Sequence, residues 1–231
     1  MSLLLASYNI HRCYGRDGLY EPGRIRQVLR ELDAQVIALQ EVELLHDAPG
    51  LLDYFCEDSP WKVIKGITLT RDTGHYGNAI LTSLPIRSVQ RIDLSLPRRE
   101  PRGALRVMLE HQGEALEIVA THLGLRPAER RSQIQQLLGV LADSYSKQTR
   151  ADVTVFMGDL NEWFLWGRPL RWLRRHFQHS PAPATYPSCC PLLALDRIWV
   201  KPCQRLVEIR AFSNRLTKVA SDHLPLVSRV K

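Results

Sequence analysis

The stretch VTVFMGDLNEW occupies residues 153–163 of a chain of 231 residues. Its apolar beginning, residues 153–156, is typical of a buried β-strand. Gly158, Asp159 and Asn161 follow within five residues. These residue types are common in turns for backbone reasons alone, so the stretch by itself favours a solvent-facing turn. The rest of the sequence decides between that turn and a functional site at the end of a strand.

Composition is that of an ordinary globular protein, with 45% hydrophobic and 24% charged residues. The length is sufficient to bury a sizeable core. No apolar run approaches the length of a bilayer span, and the N-terminal MSLLLASYNIHR lacks the basic start and cleavage site of a signal peptide. We expect a single domain over residues 1–231 that acts as a monomer.

The cysteines and the net charge limit the setting and the partners. No C-x-x-C pair or disulfide framework is present, which favours a reducing, cytoplasmic location. The five cysteines are Cys13, Cys56, Cys189, Cys190 and Cys203. The formal charge of +7 favours an anionic partner, which could be nucleic acid, an anionic lipid surface or a phosphorylated small molecule.

Hydrophobic periodicity predicts strands that alternate with two clear helices. Apolar residues at helical spacing predict a helix over residues 22–32 and another that begins near Pro127. The predicted strands cover residues 3–10, 36–39, 61–67, 78–81, 86–94, 104–110, 116–121, 153–157, 195–200, 206–212 and 226–230. Several adjacent strands form hairpins, so the pattern indicates mixed sheets with helices outside.

Polar side chains recur at the ends of these strands. They are Asn9, His11, Gln40, Glu41, Asn78, His122, Asp159, Asn161, Asp196, Arg197, Asp222 and His223. Singly, each has an ordinary explanation; a lone histidine such as His122 is more often a hydrogen-bonded structural residue. Together they predict carboxylates, carboxamides and imidazoles at one rim of the sheets. Carboxylates that leave room for water and a substrate phosphate suit Mg²⁺, and imidazoles and amides suit proton transfer and charge stabilisation.

Seven motifs in order carry a family resemblance. They are SYNIH, LQEV, YGNAIL, ATHLGLR, MGDLNEW, LDRIWV and SDHLPL. The chain resembles the endonuclease/exonuclease/phosphatase superfamily over nearly its whole length. This implies the DNase I-like fold, a four-layer α/β sandwich of two packed mixed β-sheets flanked by helices. It also implies hydrolysis of phosphodiesters with Mg²⁺, or alternatively Mn²⁺, as the metal.

The resemblance also implies roles for individual residues. Glu41 corresponds to the main metal ligand, Asn9 lies beside the metal and a phosphate oxygen, and Asp222 lies near the metal. Asp159 is a candidate general base, and Asn161 orients the phosphate.

Further catalytic and binding roles follow from the same resemblance. His223 is expected at the phosphate, oriented by Asp196, and whether Asp159 or His223 deprotonates the attacking water stays open. His122 is expected to contact the phosphate or the leaving group. Asn78 and Arg102 are expected to contact substrate. Glu162 follows the motif without a required role, and we expect it at the surface or behind the site.

Other hydrolytic chemistries find no support. The sequence lacks a G-x-S-x-G nucleophile elbow and a phosphate-binding G-x-x-x-x-G-K-[ST] loop. Ser221, Asp222 and His223 are contiguous, so they cannot form a catalytic triad with one another.

The substrate stays open because the family hydrolyses DNA, RNA, abasic-site DNA, sphingomyelin, inositol phosphates and other esters. Residues 163–177, WFLWGRPLRWLRRHF, have three interpretations: a helix with Trp172 and Leu173 packed inward, a peripheral surface for anionic phospholipid, or a platform for stacked bases. The basic charge favours a nuclease-like enzyme, and the alternative is a phospholipid or headgroup phosphodiesterase. A catalytically weak nucleic-acid-binding relative is a second alternative, which the competent residues at the principal positions disfavour.

Overall fold

A computed structural model describes residues 2–45, 50–146 and 151–231 of the protein. For residues 143–146 it describes the backbone alone. Within these ranges the strands are β1 (Leu3–Asn9), β2 (Val36–Leu45), β3 (Lys62–Arg71), β4 (Gly74–Thr82), β5 (Ile86–Asp93), β6 (Gly103–His111), β7 (Glu114–His122), β8 (Val153–Asp159), β9 (Asp196–Lys201), β10 (Leu206–Ala211) and β11 (Leu226–Val230). The helices are α1 (Pro22–Leu32), α2 (Leu51–Cys56), α3 (Pro127–Ser146), α4 (Arg168–Phe177) and α5 (Thr217–Ala220).

The strands form two mixed sheets. The first has the order β10-β11-β1-β2-β4-β3, and the second has the order β5-β6-β7-β8-β9. Each sheet contains one parallel pair, β1 with β2 and β7 with β8, among otherwise antiparallel neighbours. Hairpins are present, as the sequence indicated, and they join β3 to β4, β5 to β6 and β6 to β7.

Apolar clusters join the layers. One cluster fills the space between the sheets with residues of both, including Leu5 and Ile80 of the first and Ile118 and Val155 of the second. A second cluster packs α1 and α2 on the outer face of the first sheet, and a third packs α3 and α4 on the second. Because each fully buried aliphatic side chain contributes about 1.5–3 kcal/mol, these clusters stabilise the stack of helix, sheet, sheet and helix. The four-layer prediction is confirmed.

The predicted helical faces are also confirmed. Helix α1 buries Ile25, Val28, Leu29 and Leu32, the four residues at helical spacing. In α3, Ile134, Leu137 and Leu141 are buried, and Leu138 packs against the same cluster in a partly buried position. None of the helices in the described ranges is long and apolar enough to cross a membrane.

Several elements differ from the sequence-based prediction. Strand β3 continues to Arg71 and β4 begins at Gly74, so their hairpin is longer than predicted, and the short helix α5 was not predicted. Strand β2 continues to Leu45, past the predicted end at residue 39, and pairs with β4 beyond a break in register between Leu39 and Val42. The charged residues Glu41 and Glu43 hid this extension, because they interrupt the apolar pattern that marks a buried strand. Helix α2 was not predicted; its six residues are too few to show a helical period.

Candidate active site

Strand register brings the polar strand ends to one rim of the sandwich. Asn9 pairs with Gln40 across the parallel pair β1–β2, and His122 pairs with Asp159 across the parallel pair β7–β8. Asp159 also pairs with Asp196, the first residue of the antiparallel β9. Because β11 begins opposite the end of β1, the preceding Asp222 and His223 reach the same rim. The predicted convergence therefore has a simple origin in strand order and direction.

Unusual backbone conformations direct several of these side chains. Glu41 lies in the register break of β2 with φ 56°, and Asn161 has φ 50° just after β8. Gly158 has φ 144°, and a Cβ there would collide with the carbonyl oxygen of Thr121 on the neighbouring β7. Glycine is thus required at position 158 for β7 and β8 to pair immediately before Asp159. The register break at Glu41 is of the kind that often re-aims side chains at functional sites.

Asp159 lies at the centre of the rim. Its side chain is 1% exposed, and its Oδ1 accepts a hydrogen bond from the backbone N–H of Asn161 at 2.9 Å. Its Oδ2 accepts a hydrogen bond from Nδ2 of Asn9 at 3.0 Å. The Nε2 atoms of His122 and His223 lie 3.6 Å and 3.7 Å from the same Oδ2. One carboxylate oxygen therefore faces a carboxamide and two imidazoles.

His223 is held by a buried acidic partner. Its Nδ1 lies 2.8 Å from Oδ2 of Asp196, and Thr185 donates its hydroxyl to that same oxygen at 2.5 Å. Burial alone would lower the pKa of His223, but the carboxylates of Asp196, Asp159 and Asp222 outweigh it and raise the pKa to about 10. The imidazole is therefore oriented and favours its protonated form.

His122 has the opposite character. Nη1 of Arg102 lies 3.0 Å from its Nδ1, and Nδ2 of Asn161 lies 3.0 Å from its Nε2. Burial, followed by the positive charges of Arg102 and His223, lowers the pKa of His122 to about 3, although Asp159 opposes this shift. The two histidines thus differ in charge, because carboxylates hold His223 protonated, whereas burial and then the Arg102 guanidinium favour the neutral form of His122.

The three predicted metal ligands form a second part of the rim. Oε1 of Glu41 accepts a hydrogen bond from Nδ2 of Asn9 at 3.2 Å. Burial, and then the charges of Asp222 and Asp159, raise the pKa of Glu41 against the opposing effects of Asn9 and His11. A largely buried carboxylate that lies near two others and has a neutral amide as its hydrogen-bond partner suits a divalent cation. The side chains present thus fit a metal at this position.

A second set of ligand atoms also lies close together. One atom each from Asp159, Asp196 and His223 fall within 4.8 Å of one another. His223 and Asp196 are already hydrogen-bonded to each other, and a metal between them would break that contact. We therefore favour Glu41, with Asn9 and Asp222 beside it, as the metal-binding group.

The two predicted substrate contacts lie beside this cluster. Asn78 and Arg102 are 7% and 6% exposed and line a cavity of about 410 Å³ between β3–β4 and β5–β6. Asn78 donates to the carbonyl of Gly103 at 3.2 Å, and Arg102 contacts Glu100 as well as His122. Arg102 thus contacts the rim through His122, whereas Asn78 forms part of the cavity wall.

Sequence reasoning missed several supporting residues. Thr185 is completely buried against Asp196, and Ser221 donates to the carbonyl of Asn9 at 2.7 Å. No motif marks Thr185, because it lies in an irregular loop that has no periodic pattern of apolar residues. Glu162 is not at the surface but is 4% exposed, and it pairs with buried Arg130 at 3.1 Å behind the site.

Comparison with known proteins gives one family. The family described as "Endonuclease/Exonuclease/phosphatase family" matches residues 6–223. The uncharacterized protein YbhP of Escherichia coli (strain K12) is 31% identical over 224 residues, covering 89% of this chain and 87% of YbhP.

Solved structures show the same fold. ANGEL2, described as a 2′,3′-cyclic phosphatase, superposes with a TM-score of 0.78 at 15% identity, covering 99% of this chain and 95% of ANGEL2. Danio rerio TDP2, in a complex with a single-strand DNA product, superposes with a TM-score of 0.71 at 16% identity, covering 100% of this chain and 99% of TDP2.

Proposed function

Because the chain belongs to the endonuclease/exonuclease/phosphatase family, we propose that it hydrolyses phosphodiesters with a divalent metal, Mg²⁺ or Mn²⁺, at the rim around Asp159. Family membership supports phosphoester hydrolysis as the reaction. The observation that carries the proposal is the convergence on Oδ2 of Asp159 of the side chains of Asn9, His122 and His223.

Glu41 would hold the metal, with Asn9 and Asp222 beside it. When bound, the metal supplies Lewis-acid polarisation of a phosphoryl oxygen. Asn9 also fixes the distance between Glu41 and Asp159, because its Nδ2 donates to both carboxylates. Substrate would therefore bind between a cationic position and a carboxylate.

Asp159 is the group we propose as general base. Both ring nitrogens of His223 face carboxylate oxygens, which only accept hydrogen bonds, so His223 is placed as a donor. As a donor it would bind a phosphoryl oxygen and stabilise the charge that develops in the transition state. Asp159 would accept the proton of the attacking water, and Asn161, whose backbone N–H orients Asp159, would help to place the phosphate.

His122, Arg102 and Asn78 would extend the site toward the rest of the substrate. Burial and the Arg102 guanidinium favour the neutral form of His122, which can then hydrogen-bond a phosphate or leaving-group oxygen. The cavity of about 410 Å³ lined by Asn78 and Arg102 offers room for groups flanking the reacting phosphate.

Nucleic acid is the first candidate substrate. The charge of +7 suits a polyanion, and the similar Danio rerio TDP2 holds a single-strand DNA product. If the protein is a nuclease, its affinity for nucleic acid should fall steeply as the salt concentration rises, because each neutralised phosphate releases counterions.

A phospholipid or headgroup phosphodiester is the second candidate. The loop after Asn161 exposes four large apolar side chains in succession beside the rim, which nucleic-acid backbone binding does not require. The same rim chemistry applies to both substrates, since each presents a phosphodiester.

The test is a panel of substrates given to the purified protein with Mg²⁺ or Mn²⁺. DNA, RNA, abasic-site DNA and phospholipid vesicles should be compared side by side with a small soluble diester. Hydrolysis of any diester that stops with chelator supports the proposal. Binding of nucleic acid without hydrolysis of any member of the panel would instead indicate a catalytically weak binding protein.

A further inference from the structure

An apolar surface lies on two neighbouring loops at the rim. Its residues are Trp163, Phe164, Leu165 and Trp166, which follow β8, and Leu125, which follows β7; they are 60%, 55%, 50%, 71% and 67% exposed. We call these five residues the apolar tip. Large exposed apolar side chains that are contiguous mark interaction sites far more often than scattered ones do.

Buried polar contacts hold the apolar tip in place. Arg130 pairs with Glu162 at 3.1 Å and also donates to the carbonyl of Leu125 at 2.5 Å, so one guanidinium joins both loops. Within the second loop, the backbone N–H of Gly167 donates to the carbonyl of Phe164 at 2.9 Å. The apolar side chains are therefore presented by an organised surface, on which the ring centroids of Phe164 and Trp166 lie 5.4 Å apart.

Positive charge surrounds the apolar tip. Helix α4 begins directly after it and buries Leu170, Leu173 and Phe177; of the two residues expected to pack inward, Leu173 is buried and Trp172 is only partly buried. Its arginines on the other face are exposed, and none of them forms an ion pair with any carboxylate that the structure describes. These residues are Arg168, Arg171, Arg174 and Arg175, and the exposed Arg126 lies next to Leu125.

We propose that the apolar tip and the α4 arginines dock the protein on an anionic lipid bilayer surface. Apolar side chains would enter the boundary between headgroups and acyl chains, and the arginines would bind anionic headgroups. Nucleic acid fits less well, because the aliphatic Leu125 and Leu165 have no aromatic face on which a base could stack. A bilayer offers apolar and anionic partners together, which matches the composition of this surface.

The location connects docking to the proposed reaction. Leu125 follows His122 by three residues, and Trp163 follows Asn161 by two. Docking would therefore place the catalytic rim against the headgroup layer, where lipid phosphodiesters lie. This last step rests on the proposed function, whereas the docking itself does not.

The experiment is co-sedimentation of the full chain with vesicles of phosphatidylcholine alone or with about one third phosphatidylglycerol. We expect binding to the anionic vesicles, with quenching of tryptophan fluorescence by brominated lipid acyl chains. The double variant Trp163→Ala/Trp166→Ala should lower the partition coefficient by about tenfold or more, through lost apolar burial. Val207→Ala is the matched control, because Val207 is exposed at the opposite end of the sheet, where β10 begins.

The arginines provide a second, independent variant. Arg171→Gln/Arg174→Gln should weaken anionic vesicle binding at about 0.1 M salt and much less at about 1 M, because the screening length falls from about 10 Å to about 3 Å. Arg229→Gln, exposed near the far end of β11, should bind as the wild type does. Hydrolysis of a small soluble diester should be unchanged in all four variants, which separates docking from catalysis.

Defined outcomes would overturn the proposal. Wild-type protein that stays in solution with anionic vesicles overturns it, as does binding that the two tryptophan substitutions leave intact. Loss of oligonucleotide binding in the tryptophan variant, without vesicle binding by the wild type, would assign the surface to nucleic acid instead. Vesicle binding without hydrolysis of any diester would keep the docking surface and contradict only the proposed function.

Discussion

Nδ2 of Asn9 donates to Oδ2 of Asp159 at 3.0 Å and so joins the ends of two strands that belong to different sheets. The same nitrogen lies 3.2 Å from Oε1 of Glu41. A neutral amide thus lies between the buried carboxylate of Asp159 and the partly buried carboxylate of Glu41, which would otherwise repel each other. This contact couples the packing of the two sheets to the geometry of the candidate site.

Replacing Asn9 by alanine should therefore damage both halves of the site. We expect kcat/KM for a soluble diester to fall by about 10- to 100-fold and the metal concentration for half-maximal rate to rise, as for lost outer ligands of metal sites. Gln27→Ala, at an exposed position of α1 where the side chain donates only to Glu31, is the control and should leave both parameters unchanged. Normal turnover and metal dependence of Asn9→Ala would contradict the role of this contact.

Thr185 should act as a positioning residue for His223 through Asp196. Thr185→Val removes the donor at 2.5 Å from a completely buried carboxylate, which costs about 1–3 kcal/mol of stability for an unsatisfied group. We expect kcat to fall with little change in KM, because the His223 side chain would still be present but would be less well oriented by Asp196. Thr185→Ser keeps the hydroxyl and should restore kcat. A serine variant as slow as the valine variant would indicate a packing role only.

The low pKa of His122 predicts a specific dependence of stability on pH. Because the folded-state pKa of about 3 lies below the ordinary value of 6.5, folding favours the neutral ring. This contribution is fully present above pH 6.5 and is lost as the pH falls toward 3. Since one unit of pKa is about 1.4 kcal/mol, the loss amounts to a few kcal/mol at most.

Urea unfolding of the wild type and of His122→Asn at several pH values measures this effect. Between pH 6.5 and about pH 3, the free energy of unfolding of the wild type should fall more than that of the variant. His179→Asn, at an exposed position, should follow the wild type. Parallel pH profiles for the wild type and His122→Asn would show that His122 is not held neutral by its surroundings.

Glu41→Gln separates metal binding from folding. Without metal, the variant should be at least as stable as the wild type, because a partly buried carboxylate whose pKa is raised by its surroundings has been replaced by a neutral amide. With Mn²⁺ the wild type should gain thermal stability, and the variant should gain much less. Equal stabilisation of both proteins by Mn²⁺ would place the metal elsewhere, for which Asp159, Asp196 and His223 are the nearest alternative.

Much of the site could be predicted because it follows strand direction. The apolar runs predicted the strands, and a parallel pair necessarily brings residues such as His122 and Asp159 to one edge. Contacts that depend on loops could not be predicted in this way. Thr185 reaches Asp196 from an irregular segment, and the Arg130–Glu162 pair joins a helix to a loop without any periodic signal.

The central claim is hydrolysis assisted by metal with Asp159 as the base, and one measurement tests it most directly. The initial rate of hydrolysis of bis(p-nitrophenyl) phosphate is followed while Mg²⁺ or Mn²⁺ is titrated into chelator-treated protein. The matched variants are Asp159→Asn and, as a control, Glu208→Gln at an exposed position on β10. We predict a rate that depends on metal, lowered at least about 10²- to 10⁴-fold by Asp159→Asn and unchanged by Glu208→Gln. Full activity in excess chelator, or normal turnover of Asp159→Asn, would contradict the account.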